Sequence, residues 1–143
     1  MIWEITTAEE QRAREIIRQT LRRKSWPELR KFIELRQVLG VSPTNQDLSH
    51  DLVGVLVWSI ENKHTGAWLF IKGIAVDPSY QRDGIGTRLI EALWKLSPNT
   101  SGIRLHVYAS NEKGVKFYLK NGFDARLSFL YHGEQVWVME RRR

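Results

Sequence analysis

The sequence predicts an α/β domain on a mixed sheet, with its elements in the order βααβββαβαββ. Three observations carry that expectation. Apolar stretches of strand character alternate with amphipathic stretches at helical spacing. Capping and stop signals bracket the helical stretches. The chain has 143 residues, of which 42% are apolar and 27% charged. That is the size and balance of one ordinary domain with one core, so residues 1–143 are read as a single domain.

Each element has its own justification. Ile2 to Thr6 forms a first strand. Thr7 and Glu10 read as a capping box for a helix to about Lys24, with Ile16, Ile17 and Leu21 as its apolar stripe. Ser25 and Glu28 make a second box, with Pro27 near the helix start. Leu29, Phe32, Ile33 and Leu35 continue at helical spacing, and Gly40 is the expected stop. Residues 41–50 are loop. Leu52 to Ile60 and Ala67 to Val76 are strands around a turn at 61–66, with one break allowed between 52 and 76. A helix spans 84–96 and closes before Pro98. Ile103 to Tyr108 is a short strand, and Asn111 to Asn121 a helix stopped by Gly122. The remainder is a hairpin turning at His132-Gly133.

Composition excludes several classes of function. The absence of cysteine removes disulfides, zinc–thiolate sites and thiol nucleophiles. No apolar run approaches the ~20 residues of a membrane span. The N-terminal residues lack the apolar stretch of a signal peptide, so the default expectation is a cytoplasmic protein with no membrane partner. The net charge of +6 suits either nucleic acid or a polyanionic cofactor. It is spread along the chain, apart from Arg141-Arg142-Arg143, and no nucleic-acid motif accompanies it, so no specific nucleic-acid partner is expected. The four histidines are scattered and no carboxylate stands at ligand spacing with them, so no metal site is expected.

The chemistry concentrates in Gln81-Arg82-Asp83-Gly84-Ile85-Gly86-Thr87, between a strand and an amphipathic helix. Two glycines there let a ligand approach the backbone. The first helical amides have no internal partner, and the helix dipole favours an anion. Two common phosphate motifs do not fit. Leu89 stands where a dinucleotide fingerprint needs its third glycine, and Thr87-Arg88 follows Gly86 where a P-loop needs Lys-Ser/Thr.

The Gln/Arg-x-x-Gly-x-Gly/Ala signature after "IAVDP" resembles the acetyl-CoA-binding motif of the GNAT N-acetyltransferase superfamily. "LHVYASNEKGVKFYLKNGF", residues 105–123, is similar to its second motif. The likeness is nearest to ribosomal-protein and N-terminal acetyltransferases. It implies a central mixed, mostly antiparallel sheet with helices on both faces. It implies acetyl-CoA as cosubstrate, its pyrophosphate on the amides of Arg82 to Thr87 and its pantetheine arm on the backbone of Ile74, Ala75 and Val76, with Asn111 reaching the same arm. Tyr118 would protonate the departing thiolate. His106, on the polar face with Arg104 and Tyr108, would be the base, because an imidazole accepts a proton at neutral pH. Trp26 to His50 and the hairpin 129–135 would flank the acceptor, with Trp26, Tyr131 and Trp137 as wall candidates.

The implied activity is transfer of an acetyl group to a primary amine of a protein N-terminus, a lysine or a small molecule. Its rival is a non-catalytic acyl-CoA sensor or interaction module, and an RNA-associated basic protein is a third reading. A homodimer is compatible with the terminal strands.

Overall fold

The computed structural model describes residues 1–21, 26–43, 51–81 and 83–143. Its strands are β1 (Ile2–Glu4), β2 (Val38–Val41), β3 (Gly54–Lys63), β4 (Gly66–Val76), β5 (Gly102–Tyr108), β6 (Asp124–Tyr131) and β7 (Glu134–Arg142). Its helices are α1 (Glu10–Thr20), α2 (Leu29–Glu34), α3 (Ile85–Leu96) and α4 (Glu112–Lys120), with short 3-10 turns at Thr7–Glu9 and Pro78–Tyr80. The strands are hydrogen-bonded in the order β1-β2-β3-β4-β5-β7-β6. Pairing is antiparallel for β1–β2, β2–β3, β5–β7 and β6–β7, and parallel for β4–β5. This is the mixed, mostly antiparallel α+β sheet expected, in the expected order.

The chain divides into two compact units, Met1–Trp58 with Lys72–Leu96, and Ser59–Ile71 with Ser97–Arg143. In the first unit, α1 and α2 bury Ala13, Ile16, Ile17, Leu29 and Ile33 against Ile5, Val38, Val55, Val57 and Ala75. Alternation along β3 sends Gly54 to the opposite face, where a side chain would meet Ile85 Cγ2 of α3 at 3.0 Å. Helices therefore cover both faces of this part of the sheet. The second unit is a β4–β5–β7–β6 ladder. Ile103, Leu105, Val107 and Met139 are buried on one side of it, in the alternation read from the sequence. His132 and Gly133, both at positive φ, close the β6–β7 hairpin where the sequence placed its turn.

Four local expectations are corrected. Strand β1 stops at Glu4, and the first capping interaction sits one residue early: the Glu9 carboxylate accepts from the Thr6 N–H at 3.2 Å. Helix α1 ends at Thr20, because Leu21 has extended backbone; the Ser25 of the second proposed box lies outside the described residues. Gly40 is not a helix stop but the centre of β2. A Cβ there would lie 2.5 Å from Ile5 Cγ2 and 2.6 Å from Leu52 Cδ1, so close packing explains the glycine. The extra strand of the triplet is thus β2, not a break within 52–76, and the turn expected at 61–66 narrows because β3 runs on to Lys63.

Candidate active site

The first unit carries the glycine turn. Asp77 ends β4, takes the Ser79 N–H on its side chain at 2.9 Å and gives its own N–H to Val53 at 2.7 Å. The chain then turns through Tyr80 and Asp83 into α3. Gly84 has φ of 72°, a left-handed backbone that favours glycine, and among the described residues nothing stands within 4 Å of where its Cβ would be. Its carbonyl accepts the Arg88 N–H at 3.1 Å, so the amides of Ile85, Gly86 and Thr87, the first donors of a 12-residue helix, have no hydrogen-bond partner among the described residues. Ile85, Leu89, Ile90 and Leu93 are fully buried and hold that helix end rigid. Gln81 donates from Nε2 to the Val76 carbonyl at 3.2 Å, tying the turn back to the strand. Arg82 lies outside the described residues. Ile74 and Val76 are half-buried and Ala75 is buried in β4. The β4–β5 ladder runs from Trp68↔Gly102 to Ile71↔Leu105, and β4 continues for five residues beyond it.

In the second unit, Asn111 caps α4: its Oδ1 accepts the Gly114 N–H at 3.0 Å, and its Nδ2 makes no hydrogen bond among the described residues. Tyr118 is half-buried on α4, edge-on to Phe117 at 5.3 Å and to Phe123 at 5.7 Å. Burial pushes its phenol well above the ordinary range, so it stays protonated. His106 is exposed on the opposite side of β5 from Leu105 and Val107. Its ring lies edge-on to Phe70 at 4.9 Å and to Phe129 at 5.1 Å, an orientation set by two aromatic neighbours.

Of the three wall candidates, one shares a pocket with His106. Tyr131 lines it with Phe129, Tyr108 and Val136. Trp137 pairs with Val107 and so lies on the other face. Trp26 is a core residue of the first unit, only 3% exposed. The sequence reading missed a second pocket beside His106, lined by Arg104, Arg126 and Glu140 among others. Its signal was faint: Arg104 is a polar residue between two buried strand positions, and Glu140 directly follows buried Met139.

This constellation defines a class. Among solved structures, the fold matches the N-terminal acetyltransferase Naa50 of Arabidopsis thaliana, in complex with the bisubstrate analogue CoA-Ac-MVNAL, at TM-score 0.79 and 17% identity, covering 100% of this chain and 98% of that one. It matches Ard1 from Thermoplasma volcanium at TM-score 0.80 and 21% identity, over 99% and 96% of the two chains. The ribosomal-protein-S18-alanine N-acetyltransferase from Escherichia coli matches at TM-score 0.75 and 20% identity, over 100% and 94%. At these identities the likeness establishes the fold. The Acetyltransferase (GNAT) family matches residues 3–123, and the chain belongs to that family. No curated protein matches it in sequence.

Proposed function

We propose that this chain, acting as one domain over residues 1–143, is an acetyl-CoA-dependent N-acetyltransferase that works by direct attack within a ternary complex. The acceptor is a primary amine: a protein N-terminus, a lysine or a small molecule. The observation that carries the reading is the opening of α3, where, among the described residues, a positive-φ glycine with open space above it precedes three helical amides without a partner. Such a cradle fits a diphosphate. Amides from Gln81 through Asp83 and Gly84 to Ile85, Gly86 and Thr87, with the Arg82 charge, would take the pyrophosphate. The stretch of β4 beyond its ladder with β5, ending in Ile74, Ala75 and Val76, would pair its backbone with the pantetheine arm as an added strand. The uncommitted Nδ2 of Asn111 would reach the same arm.

Chemistry follows from three groups. The amine nitrogen attacks the thioester carbonyl, and a C–N bond forms. A backbone amide, that of Val76 on this reading, stabilises the oxyanion. His106 receives the ammonium proton, directly or through water, as the adduct collapses. The C–S bond breaks, and Tyr118, held neutral by burial, protonates the leaving sulfur. With no cysteine in the chain, the amine attacks the thioester itself and no thioacyl-enzyme intervenes. Holding both reactants together contributes up to ~7–11 kcal/mol.

Calorimetry with acetyl-CoA and CoA, followed by CoA release across an amine panel for the parent and Tyr118→Phe, tests the reading. Binding with transfer, and slower transfer without loss of binding in the variant, is expected. No affinity for any CoA species overturns it. Binding without transfer in either protein assigns the chain to an acyl-CoA sensor instead.

A further inference from the structure

The pocket beside His106 in the second unit has a volume of about 290 Å³ and an unbalanced charge. Strand register arranges its floor in two rows. His106 pairs with Val138, and Val138 with Leu127, giving an apolar row around an imidazole. Two residues along β5, Arg104 pairs with Glu140 in a charged row. Two residues along a strand separate these rows by about 7 Å.

Glu140 is only 3% exposed and gathers three guanidinium groups. Its Oε2 accepts from Arg104 Nε at 2.9 Å and Nη2 at 2.6 Å. Its Oε1 accepts from Arg142 Nη2 at 3.0 Å and lies 3.5 Å from Arg126 Nε. Of the charged side chains that line the pocket, Arg104, Arg126 and Lys63 outnumber Glu140 and Glu61, which leaves one positive charge in excess. The pocket's other acid, Glu61, already lies 3.6 Å from Lys63. Arg104 is further fixed over the Trp68 ring, 4.7 Å from its centroid. Arg126, with its side chain 42% exposed, makes only the 3.5 Å contact among the described residues. The row therefore holds a clamped arginine and an under-used one, with surplus charge facing the pocket that His106 also lines.

We propose that this pocket binds an anionic group of the acceptor, so that the preferred substrates are primary amines carrying a carboxylate about 7 Å from the nitrogen. The proposal rests on His106 receiving the acceptor amine. The surplus charge would be met by the substrate, a neutral acceptor would leave it unmet, and a cationic one would be repelled.

The test is calorimetric binding, in the presence of CoA, of two probe sets. One set is the tripeptide amides Ala-Glu-Ala, Ala-Gln-Ala and Ala-Lys-Ala; the other is 6-aminohexanoate against its neutral amide. The acidic member should bind about tenfold tighter than its neutral twin, with the margin shrinking at high salt. Preference in the peptide set points to a polypeptide acceptor, and preference confined to the amino acid to a small one; both support an anion pocket. Arg126→Glu should abolish the preference and favour the lysine peptide, leaving CoA affinity unchanged. Arg126→Lys should keep it in part. Equal affinity of acid and neutral twins, no binding of any acidic probe, or a preference untouched by Arg126→Glu overturns the proposal. Acetyl-CoA turnover on the same probes separates the two readings. Transfer without acid preference removes the anion pocket alone, and acid preference without transfer keeps the pocket but assigns the chain to the acyl-CoA sensor reading.

Discussion

Arg104 and Glu140 face each other across β5 and β7, and one oxygen of Glu140 accepts two hydrogen bonds from the Arg104 guanidinium, at 2.9 and 2.6 Å. The residues lie 36 positions apart in sequence, yet the pair is a direct cross-strand neighbour. It anchors the strand end from which the charged row of the pocket projects.

Burial alone would raise the Glu140 carboxyl, but the hydrogen bonds from Arg104 and Arg142 outweigh it and hold the group below the ordinary value of 4.5. A lowered folded-state value means the contribution is fully present above the unfolded value and is lost as pH falls through the folded one. Glu140→Gln should therefore cost about 2 kcal/mol at pH 7. That is less than the ~3–5 kcal/mol of a fully buried pair, because the arginines keep water contact. Urea unfolding should show the gap between parent and variant closing as pH drops below 4.5. A gap independent of pH would show that the charge of Glu140 contributes nothing.

At Gly84 the cost of a side chain can be separated from its effect on ligand. Gly84→Ala meets no neighbouring atom among the described residues, so the left-handed backbone opposes it, at about 1–2 kcal/mol. A methyl group over the α3 amides would also block close approach of a diphosphate. Calorimetry should show CoA affinity falling at least tenfold while the protein stays folded. Unchanged affinity would remove the turn from the cofactor site.

His106→Ala should lower kcat by about 10²–10⁴-fold if the imidazole is the base. The sign of the pH effect is fixed: a base must be neutral to work, so the parent loses activity as pH falls. The variant should lose that limb of the profile, retaining only the ionisation of the acceptor itself. Phe70 and Phe129 hold the ring edge-on without depending on it for burial, since His106 is exposed, so stability should hardly change. A variant with reduced rate but an unaltered acidic limb would make His106 a structural wall residue.

Much of this architecture was legible locally. The alternation Ile103, Leu105, Val107 against Arg104, His106, Tyr108 correctly separated the faces of β5, and His132-Gly133 correctly marked a hairpin. Strand β2 was not legible. It has four residues, and Gly40 at its centre imitates a helix stop, whereas the glycine is there because Ile5 and Leu52 close over it. The α1 boundary moved because the Thr6–Glu9 and Thr7–Glu10 spacings are equivalent in sequence and only the backbone chooses between them. Trp26 and Trp137 looked like cleft walls because large aromatics serve core and cleft alike. The charged pocket escaped notice because Arg104, Arg126 and Glu140 come from three strands, and no spacing rule joins them before the β5–β7–β6 order is known.

Asp77 ties the end of β4 to α1, and its removal gives a sharply signed test. Its carboxylate takes the Ser79 N–H and, at 2.7 Å, Arg12 Nη2, while Arg12 Nε donates to the Leu52 carbonyl. The Ser79 N–H first, and Arg12 second, hold the acid below its ordinary value of 3.8. Stability from this group is accordingly present above that value and fades as pH falls through the folded-state one. Arg12 is more than a third exposed, so water screens the pair, and Asp77→Ala should cost only about 1 kcal/mol at neutral pH. A double-mutant cycle with Arg12→Ala should return a coupling of about 0.5–1 kcal/mol, the rest of the loss belonging to the Ser79 turn. Because Asp77 immediately follows Val76, loosening it should also weaken CoA binding without changing the acceptor's KM. A cycle with zero coupling and intact CoA affinity would reduce the Arg12–Asp77 contact to a surface pair with no bearing on the site.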